Sequence, residues 1–438
     1  MNTLKILDLF AGVGGLSLGF ELVENSSGEH IFELHRAVEI DKYACETLRS
    51  RYDGDKVIEG DITKLSVSTR IINECKGKVS VIVGGIPCQS FSLLGSRSGY
   101  GKKNVKFKED IRDNLYEHFR YIVAKIKPNI IVIENVKGML SKKDKGGKLI
   151  ISKIISDFEK LGYNLENEKG EKYNLLNAAN FGVPQRRERI IFIGVKKNWK
   201  NIKIPLIKTT HYDPASKDSD QLRNSELLPF VTLFEAIGDL PEVHPKITTT
   251  GLSISVAHRI KKKNETVYSG EDKIELDKKR YENHLMSMSE SGKKYFQTIR
   301  HNGYKYIDHH ISRSQQVSDI KLFGLMKEGE TAGEFLARCP KKADSLIKYD
   351  MSSFLDKYRK QNFNSVCTTV FAHLEKDGNR FIHPKQNRTF TPREAARIQS
   401  FPDDFVFSGP ISKKFRQIGN AVPPLLGKAI GEAVLRIL

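Results

Sequence analysis

The sequence lacks any apolar run that approaches the roughly 20 residues needed to span a bilayer. Its amino terminus, MNTLKILDLF, has no basic leader followed by a small-residue cleavage site, so we expect no signal peptide. The chain has only five cysteines and no C-x-x-C pair, which argues against a disulfide framework and a structural zinc site. We therefore expect an intracellular, cytoplasmic protein with reduced thiols.

Acidic residues are few relative to basic ones: 53 Asp and Glu face 72 Lys and Arg, giving a formal charge of +19. This excess favours a polyanionic partner, and nucleic acid rather than a membrane because no basic amphipathic helix stands out. The 438 residues can bury one large core or two, and 39% hydrophobic content is typical of a globular protein. We find no internal repeat and no heptad pattern from 196 to 385.

Two phosphate-binding signatures are also missing near the start of the chain. A buried-strand pattern at 4–10 is followed by AGVGG at 11–15 and an amphipathic helical pattern at 16–23. This unit brings backbone amides close to a ligand in doubly wound folds, but the loop is not G-x-G-x-x-G and no Walker lysine follows it. A tight turn without a ligand is the alternative.

The next two strand patterns end in carboxylates. The pattern at 34–40 contains Glu39 near its end, and the one at 56–62 ends in Gly60-Asp61. A carboxylate after the second strand can accept both ribose hydroxyls, and one after the third can reach an adenine edge. A nucleoside without phosphates fits best, and S-adenosylmethionine is the common one.

The stretch 79–92, VSVIVGGIPCQSFS, places Cys88 just after a β-branched run typical of a strand buried on both faces. Gly84 and Gly85 allow a sharp turn, and Pro87 fixes φ next to the thiol. Cys88 is therefore a candidate nucleophile. The alternative is a small buried hydrophobic residue, which describes most lone cysteines.

Another buried strand pattern at 129–134 brings Glu134 to the same carboxyl edge as Cys88. Burial favours the neutral carboxyl, as a proton donor requires, although a structural carboxylate is the alternative. Before the strand pattern at 190–195, alternation places Arg187 and Arg189 on one face. Two such guanidiniums suit a carboxylate, a phosphate or a carbonyl oxygen, unless they are simply solvated.

The remaining segments predict organisation more than chemistry. We expect a basic lid at 90–108, unless it is an unimportant solvated loop, helices at 110–127 and 148–161, and a polar hairpin at 163–175. From 196 to 385 the strand and helix alternation dissolves, and basic clusters such as 261–263 appear. His301, His309 and His310 lack partners at ligand spacing, so we predict no metal.

Near the end of the chain, Thr391 and Pro392 are typical of a helix N-cap and first helical position. The segment 417–424, QIGNAVPP, precedes a closing helix predicted at 425–438. Polar groups directly before a helix indicate a loop that serves a site.

In this order, DLFAGVGG, GGIPCQSFS, ENVKG, QRRER and QIGNAVPP resemble the motifs of the DNA (cytosine-5)-methyltransferases, over the first 195 residues and the last 50 or so. The resemblance implies that Cys88 is the nucleophile, that Glu134 is its partner acid, and that Arg187 and Arg189 hold Glu134 and the base's O2. Ile86 stands where the family usually has proline, which removes no chemical group. The cofactor-contacting positions that the resemblance implies are Phe10, Gly12, Val13, Gly15, Glu39, Ile40, Asp61, Ile62, Pro87, Leu115, Asn420 and Val422.

The resemblance also implies an α/β, doubly wound Rossmann-like domain that uses S-adenosylmethionine, with a second, smaller and irregular target-recognition domain. We predict a catalytic domain at 1–199 completed by 412–438, and recognition domain and hinge at 200–411. The expected partner is double-stranded DNA, and the expected state is a monomer associated with the nucleoid. The expected role is that of the modification enzyme of a restriction-modification system, while the existence of a cognate restriction endonuclease sharing the target site stays open. An RNA cytosine-5 methyltransferase and a catalytically silent DNA-binding protein are the alternatives.

Overall fold

The computed structural model describes residues 3–87, 115–143, 147–223, 225–247, 273–275, 277–300, 305–347 and 355–438. The chain divides into two compact units. The first comprises Met1–Phe181, Arg187–Thr210 and Ala421–Leu438, and the second Gly182–Arg186 and His211–Asn420. Residues 412–420, which the sequence analysis groups with the catalytic domain, thus pack in the second unit.

The strands and helices are numbered in chain order. The strands are β1 Leu4–Leu9, β2 Phe32–Glu39, β3 Val57–Glu59, β4 Val81–Gly85, β5 Ile130–Val136, β6 Tyr163–Asn164, β7 Asn174–Asn177, β8 Glu188–Lys196, β9 His211–Tyr212, β10 Leu228–Pro229, β11 Lys273–Glu275 and β12 Tyr306–Asp308. The helices are α1 Gly15–Glu21, α2 Lys42–Arg51, α3 Leu65–Cys75, α4 Leu115–Ile126, α5 Ile150–Lys160, α6 Ser219–Arg223, α7 Leu233–Ile237, α8 Lys278–Ser287, α9 Glu290–Ile299, α10 Val317–Leu325, α11 Ala332–Arg338, α12 Pro340–Leu346, α13 Pro392–Ile398, α14 Ile411–Asn420 and α15 Pro424–Leu435.

The first unit is built on one large sheet with the strand order β3-β2-β1-β4-β5-β8-β6. Strands β1 to β5 are parallel, and β8 runs antiparallel to β5. The apolar runs of β1, β4 and β5 are buried, as the central strands of a parallel sheet require. The predicted α/β, doubly wound fold is confirmed, and its strand order reverses between β1 and β4, where such sheets bind ligands.

The predicted hairpin at 163–175 is wrong. Strands β6 and β7 lie in this region, but each pairs antiparallel with β8, at opposite ends of that strand. The nine residues of β8 are long enough to pair with two short strands in succession. The polar residues between β6 and β7 therefore connect two short strands that pair with opposite ends of β8.

Helices α1 and α15 pack closely together in the first unit. A Cβ atom added at Gly427 of α15 would lie 2.9 Å from the Leu16 carbonyl oxygen of α1, so a side chain there would meet backbone. The glycine at this position is what allows the two helices to approach. This contact ties the closing helix to the sheet domain.

The second unit contains helices α6 to α14 and short two-stranded pairings, where the sequence predicted no regular alternation. The predicted N-cap at Thr391 is present, with Glu394 completing a capping box. Fully buried Arg397 pairs with Asp239 and, at 2.8 Å, with Asp403. Residues 417–420, predicted as a loop, instead form the last turn of α14, and only 421–423 separate it from α15.

Two kinds of feature are absent from the described part of the chain. None of its helices is both long enough and apolar enough to cross a membrane. Within the same ranges, no cluster of three or more His, Cys, Asp or Glu side chains could hold a metal ion. His310 instead bonds Thr391 Oγ1 at 3.0 Å and the Pro241 carbonyl oxygen at 2.8 Å.

Candidate active site

The glycine loop follows β1 at the carboxyl edge of the sheet. Phe10 and Gly12 both have positive φ, 60° and 56°, and a Cβ atom added at Gly12 would meet no atom within 4 Å. The Ala11 N–H donates to the Val38 carbonyl oxygen at 3.0 Å, which fixes the loop to β2. Val13 is buried and Gly15 begins α1. The open space beside Gly12 lets a ligand approach the backbone.

The Glu39 carboxylate organises the ends of β1 and β2. Its Oε2 accepts a hydrogen bond from the Gly12 N–H at 2.8 Å. Its Oε1 accepts from the N–H groups of Ile40 and Asp41, both at 2.8 Å. A carboxylate has about four acceptor positions, so these three bonds leave capacity for a ligand donor. Glu39 therefore links the glycine loop to the turn that follows β2.

The turns after β2 and β3 present one apolar and one acidic side chain. Ile40 is 65% exposed, which is unusual for a large aliphatic side chain directly after a buried strand. Asp61 Oδ1 accepts from Thr63 Oγ1 at 2.7 Å and from the Thr63 N–H at 2.9 Å, and these bonds lower the Asp61 pKa. Ile62 is buried. An exposed aliphatic face beside a fixed carboxylate suits a base with a polar edge.

Strand β4 ends against its neighbours on both sides. A Cβ atom added at Gly84 would lie 2.7 Å from the Leu9 carbonyl oxygen, and one at Gly85 would lie 3.2 Å from Glu134 Oε2. The glycines therefore allow β1 and the Glu134 carboxylate to approach β4. Pro87, which follows β4 in the chain, is exposed. Cys88, the lid predicted at 90–108 and the lysine run 261–263 lie outside the described residues.

Glu134 at the end of β5 pairs with Arg189 of β8. Arg189 Nε lies 2.7 Å from Glu134 Oε1, and each side chain is only 11% exposed. The arrangement is an ion pair rather than a well-directed hydrogen bond, because the Nε–H direction satisfies no acceptor. Burial lowers the Arg189 pKa, and the Glu134 charge opposes that shift. Removing either partner would leave a buried charge uncompensated.

Arg187 takes a different partner. Its guanidinium Nη2 donates to the Ala421 carbonyl oxygen at 2.9 Å, and its backbone N–H donates to Asn177 Oδ1 at 3.1 Å. Burial, together with the nearby charge of Arg189, lowers the Arg187 pKa well below its usual value, and Glu134 opposes this shift. Arg187 thus ties the start of β8 to the segment that precedes α15.

The other predicted positions lie farther along the chain. Leu115 begins the described part of α4 and packs against the apolar core of the sheet, as Phe10 also does. Val422 is buried in the first unit, just before α15. Asn420 is the last residue of α14 and belongs to the second unit. Among the predicted residues, the structure directly joins Gly12 and Ile40 with Glu39, and Glu134 with Arg189.

Asp8 is a buried acid near Glu39 that the sequence analysis did not single out. It is 1% exposed within β1. Burial, aided by the charge of Glu39, raises the Asp8 pKa to about 7, and the polar groups of nearby Ser17 oppose this shift. Its Oδ2 has no hydrogen-bond partner in the described chain. The available signal was an acid inside the apolar run LKILDLF.

Asn135 is the second missed residue. Its Nδ2 donates to the Ile86 carbonyl oxygen at 3.3 Å, directly before the Pro87 turn, and its Oδ1 accepts from the Val136 N–H at 2.8 Å. The amide is therefore shared between the ends of β4 and β5. A polar residue immediately after Glu134 in a buried strand was the signal that could have identified it.

This edge of the sheet therefore carries two adjacent groups of residues. Gly12, Glu39, Ile40 and Asp61 fit an adenosine, because they supply open backbone, an exposed apolar face and carboxylate acceptors. Glu134 and Arg189 form a buried charged pair beside the turn after β4. Such a pair can accept and return a proton next to a reacting group.

Comparisons with known proteins show the family of this chain. The chain matches the family of C-5 cytosine-specific DNA methylases over residues 4–436. It is 31% identical to the type II methyltransferase M1.HphI of Haemophilus parahaemolyticus over 435 residues, covering 99% of this chain and 87% of the relative. It is 30% identical to the type II methyltransferase M.DdeI of Desulfomicrobium norvegicum over 444 residues, covering 98% and 88%.

Two solved structures share the fold. A candidate DNA modification methyltransferase encoded within an E. coli prophage aligns with a TM-score of 0.63 at 24% identity, over 99% of each chain. The S. pombe Dnmt2 methyltransferase aligns with a TM-score of 0.51 at 12% identity, over 100% of this chain and 99% of the other. With the family match spanning almost the whole sequence, these findings identify the chain as a member of the C-5 cytosine-specific DNA methylase family.

Proposed function

We propose that this protein transfers a methyl group from S-adenosylmethionine to C5 of a cytosine in duplex DNA, with Cys88 as the covalent nucleophile. The observation that carries the proposal is the buried Glu134–Arg189 pair, 2.7 Å apart, whose Glu134 carboxylate lies against Gly85 at the end of β4, shortly before Cys88 in the sequence. This pair offers a carboxyl group and a guanidinium where the base of a substrate would meet the thiol.

The chemistry requires both groups because cytosine C5 is a poor nucleophile. The Cys88 thiolate adds to C6 while Glu134 supports protonation at N3, which turns the ring into an enamine at C5. C5 would then bond the methyl group as its bond to the cofactor sulfur breaks, which leaves a neutral thioether. Removal of the C5 proton would restore the C5–C6 double bond and expel the thiolate, and N3 would return its proton to Glu134. Arg189 would keep Glu134 oriented. Arg187 would hold Glu134 or the O2 atom of the base.

A cytosine stacked in a duplex cannot meet a thiol and a methyl donor on its ring at once. The nucleotide must therefore leave the stack and enter the site. The basic excess of +19 supports a DNA substrate, since phosphate contacts by Lys and Arg supply much of the affinity for DNA.

S-adenosylmethionine would supply an electrophilic methyl group on a sulfonium. We assign its adenosine to the loop at Phe10 and Gly12, to the Glu39 carboxylate and to Ile40 and Asp61. The open space at Gly12, the three N–H bonds that fix Glu39 and the exposure of Ile40 support this assignment. Val13, Gly15, Ile62, Pro87, Leu115, Asn420 and Val422 stay proposed contacts.

We further propose that residues 200–411 read the target sequence, while 1–199 and 412–438 carry out the chemistry. Base edges in the major groove would specify the site, and phosphate contacts would position the duplex. The protein would act as a monomer. The type II names of the relatives support a role as the modification enzyme beside a restriction endonuclease that shares the target site.

The experiment uses purified protein, tritiated S-adenosylmethionine and either duplex DNA or folded RNA, followed by bisulfite sequencing of the DNA. We expect label in DNA alone, at C5 of one cytosine within a fixed sequence. Cys88→Ala should abolish incorporation while keeping cofactor affinity. Cys339→Ala, the same substitution at a half-buried cysteine of the second unit, should retain activity.

Three results would contradict the proposal. Incorporation by Cys88→Ala above a trace would remove the nucleophile assignment. Label found only in RNA would favour the RNA methyltransferase. Absence of any transfer with intact cofactor and DNA binding would favour the silent DNA-binding protein.

A further inference from the structure

At the carboxyl end of β4 and β5, a side chain replaces a backbone-to-backbone hydrogen bond of the ladder. The two strands are parallel and in continuous register from Val81↔Ile130 to Gly85↔Glu134. At the start of the ladder, the Ile130 N–H donates to the Ser80 carbonyl oxygen at 3.1 Å. Equivalent bonds in a parallel ladder recur every second residue. The same series would therefore place a bond between the Val136 N–H and the Ile86 carbonyl oxygen.

The Asn135 side chain occupies this last position of the ladder. Its Oδ1 accepts from the Val136 N–H at 2.8 Å, and its Nδ2 donates to the Ile86 carbonyl oxygen at 3.3 Å. The side-chain amide thus stands between the two backbone groups that would otherwise bond each other. Asn135 is only 2% exposed, so water does not compete freely for these bonds.

The side-chain amide satisfies both of these backbone groups. Gly85 and Glu134, just before it, are the last paired residues of the two strands. In the sequence, Ile86 and Pro87 follow β4 directly before Cys88. The Glu134 carboxylate lies over Gly85, where an added Cβ atom would be 3.2 Å from Oε2. The amide therefore bridges the segment that follows β4 and the strand that carries the acid.

We propose that Asn135 is a positioning residue for methyl transfer: its amide sets the distance between the Ile86-Pro87 turn and Glu134. The inference rests on the proposed role of Cys88 as nucleophile. Asparagine suits this place because its amide donates to one backbone group and accepts from the other. An aspartate of the same shape would direct a carboxylate oxygen at the Ile86 carbonyl oxygen, and an alanine would leave both groups without their partner.

The experiment compares Asn135→Ala and Asn135→Asp with Asn164→Ala. Asn164 is a matched control because its amide bonds in the same pattern at β6, on the far edge of the sheet. Its Nδ2 donates to the Ile202 carbonyl oxygen at 2.8 Å, and its Oδ1 accepts from the Glu166 N–H at 3.1 Å. Three quantities are measured: kcat for tritiated-methyl transfer, the Kd for S-adenosylmethionine, and the rate of covalent adduct formation with 5-fluorocytosine DNA.

We expect Asn135→Ala to lower kcat and the adduct rate by about 100-fold, the effect of a displacement of about 1 Å at a reacting centre. The cofactor Kd should change less than about tenfold, since Pro87 alone among the proposed cofactor residues lies in the segment that Asn135 bonds. Asn164→Ala should keep kcat within about threefold of the unaltered protein. If Asn135→Ala does not fold, the isosteric Asn135→Asp carries the comparison.

Asn135→Asp adds a pH test that a general loss of stability would not reproduce. A protonated aspartate can donate to the Ile86 carbonyl oxygen, whereas an ionised one cannot. The kcat of Asn135→Asp relative to the unaltered protein should therefore rise as pH falls. The corresponding ratio for Asn135→Ala should stay flat.

The outcomes separate the two proposals. An Asn135→Ala adduct rate equal to that of the unaltered protein, or an equal loss in Asn164→Ala, overturns the positioning role alone. A flat pH ratio for Asn135→Asp also counts against it. Failure of the unaltered protein to form any adduct while it methylates DNA contradicts the nucleophile assignment, and the inference falls with it.

Discussion

Replacing Glu39 by alanine should weaken binding of S-adenosylmethionine at least about tenfold. The carboxylate has two tasks in our account. It accepts the ribose hydroxyl groups of the cofactor, and it holds the glycine loop through the bond from the Gly12 N–H to Oε2 at 2.8 Å. Alanine removes the ribose acceptor and releases the loop, so both effects act in the same direction.

The magnitude follows from the bonds that Glu39 would form with the ribose. A hydrogen bond to a charged group contributes about 1.5–3 kcal/mol, and about 1.4 kcal/mol corresponds to a tenfold change in affinity. Loss of one ribose bond therefore suffices for the tenfold effect, and loss of two should exceed it. Glu39→Gln should be intermediate, because one oxygen still accepts from Ile40 and Asp41 while the amide NH2 meets the Gly12 N–H.

Isothermal titration calorimetry with S-adenosylmethionine measures the effect, and urea unfolding checks that each variant is folded. Glu33→Ala is the matched control on the same strand. Glu33 forms a 2.9 Å ion pair with Lys56 and is about half exposed, so its loss should change stability by at most about 1 kcal/mol and leave cofactor affinity unchanged. Unchanged affinity in Glu39→Ala, or equal losses in both variants, would refute the assignment.

Three further predictions concern pH and salt. Because the Asp8 pKa is raised to about 7, the free energy of unfolding should fall by about 1 kcal/mol as pH rises from 6 to 8. Urea unfolding of Asp8→Asn should lack that loss. Burial lowers the pKa of His310 to about 4 and of His383 to about 3, so stability should fall as pH drops below about 6.5. For His310 the loss between pH 7 and pH 5 should be about 2 kcal/mol, and an equally steep loss in His310→Gln would argue against it. Replacing lysines 261–263 by alanine should reduce the slope of log affinity for DNA against log salt by about one for each phosphate that these lysines bind, and an unchanged slope would mean that the run does not meet DNA.

The sheet could be predicted from the sequence because its central strands are apolar on both faces. β4 and β5 appear as short β-branched runs and β1 as a leucine-rich one, and the residues that follow them lie at one edge of any parallel sheet. This rule was enough to group Glu39, Asp61 and Glu134 without coordinates. The pairing of Glu134 with Arg189 came from the family resemblance, because the sequences of β5 and β8 do not show that these two strands are neighbours in the sheet.

Other features depend on tertiary contacts that no local pattern contains. Helix α8 buries only His284 among its side chains, so it shows no apolar stripe and periodicity could not predict it. Residues 417–420 read as a polar loop, yet three of them, Gln417, Ile418 and Gly419, are buried in the last turn of α14. The role of Asn135 depends on a ladder position that is visible only once β4 and β5 are paired.

The covalent adduct is the most direct test of the proposed mechanism. Duplex DNA with 5-fluorocytosine at the methylated position is incubated with the protein and S-adenosylmethionine, and the complex is analysed by denaturing electrophoresis and peptide mass spectrometry. Fluorine cannot leave as a cation, so the account predicts a stable protein–DNA band whose cross-link maps to Cys88 and which is absent from Cys88→Ala. A cross-link at another residue, or full methylation of ordinary cytosine without any trapped adduct, would contradict it.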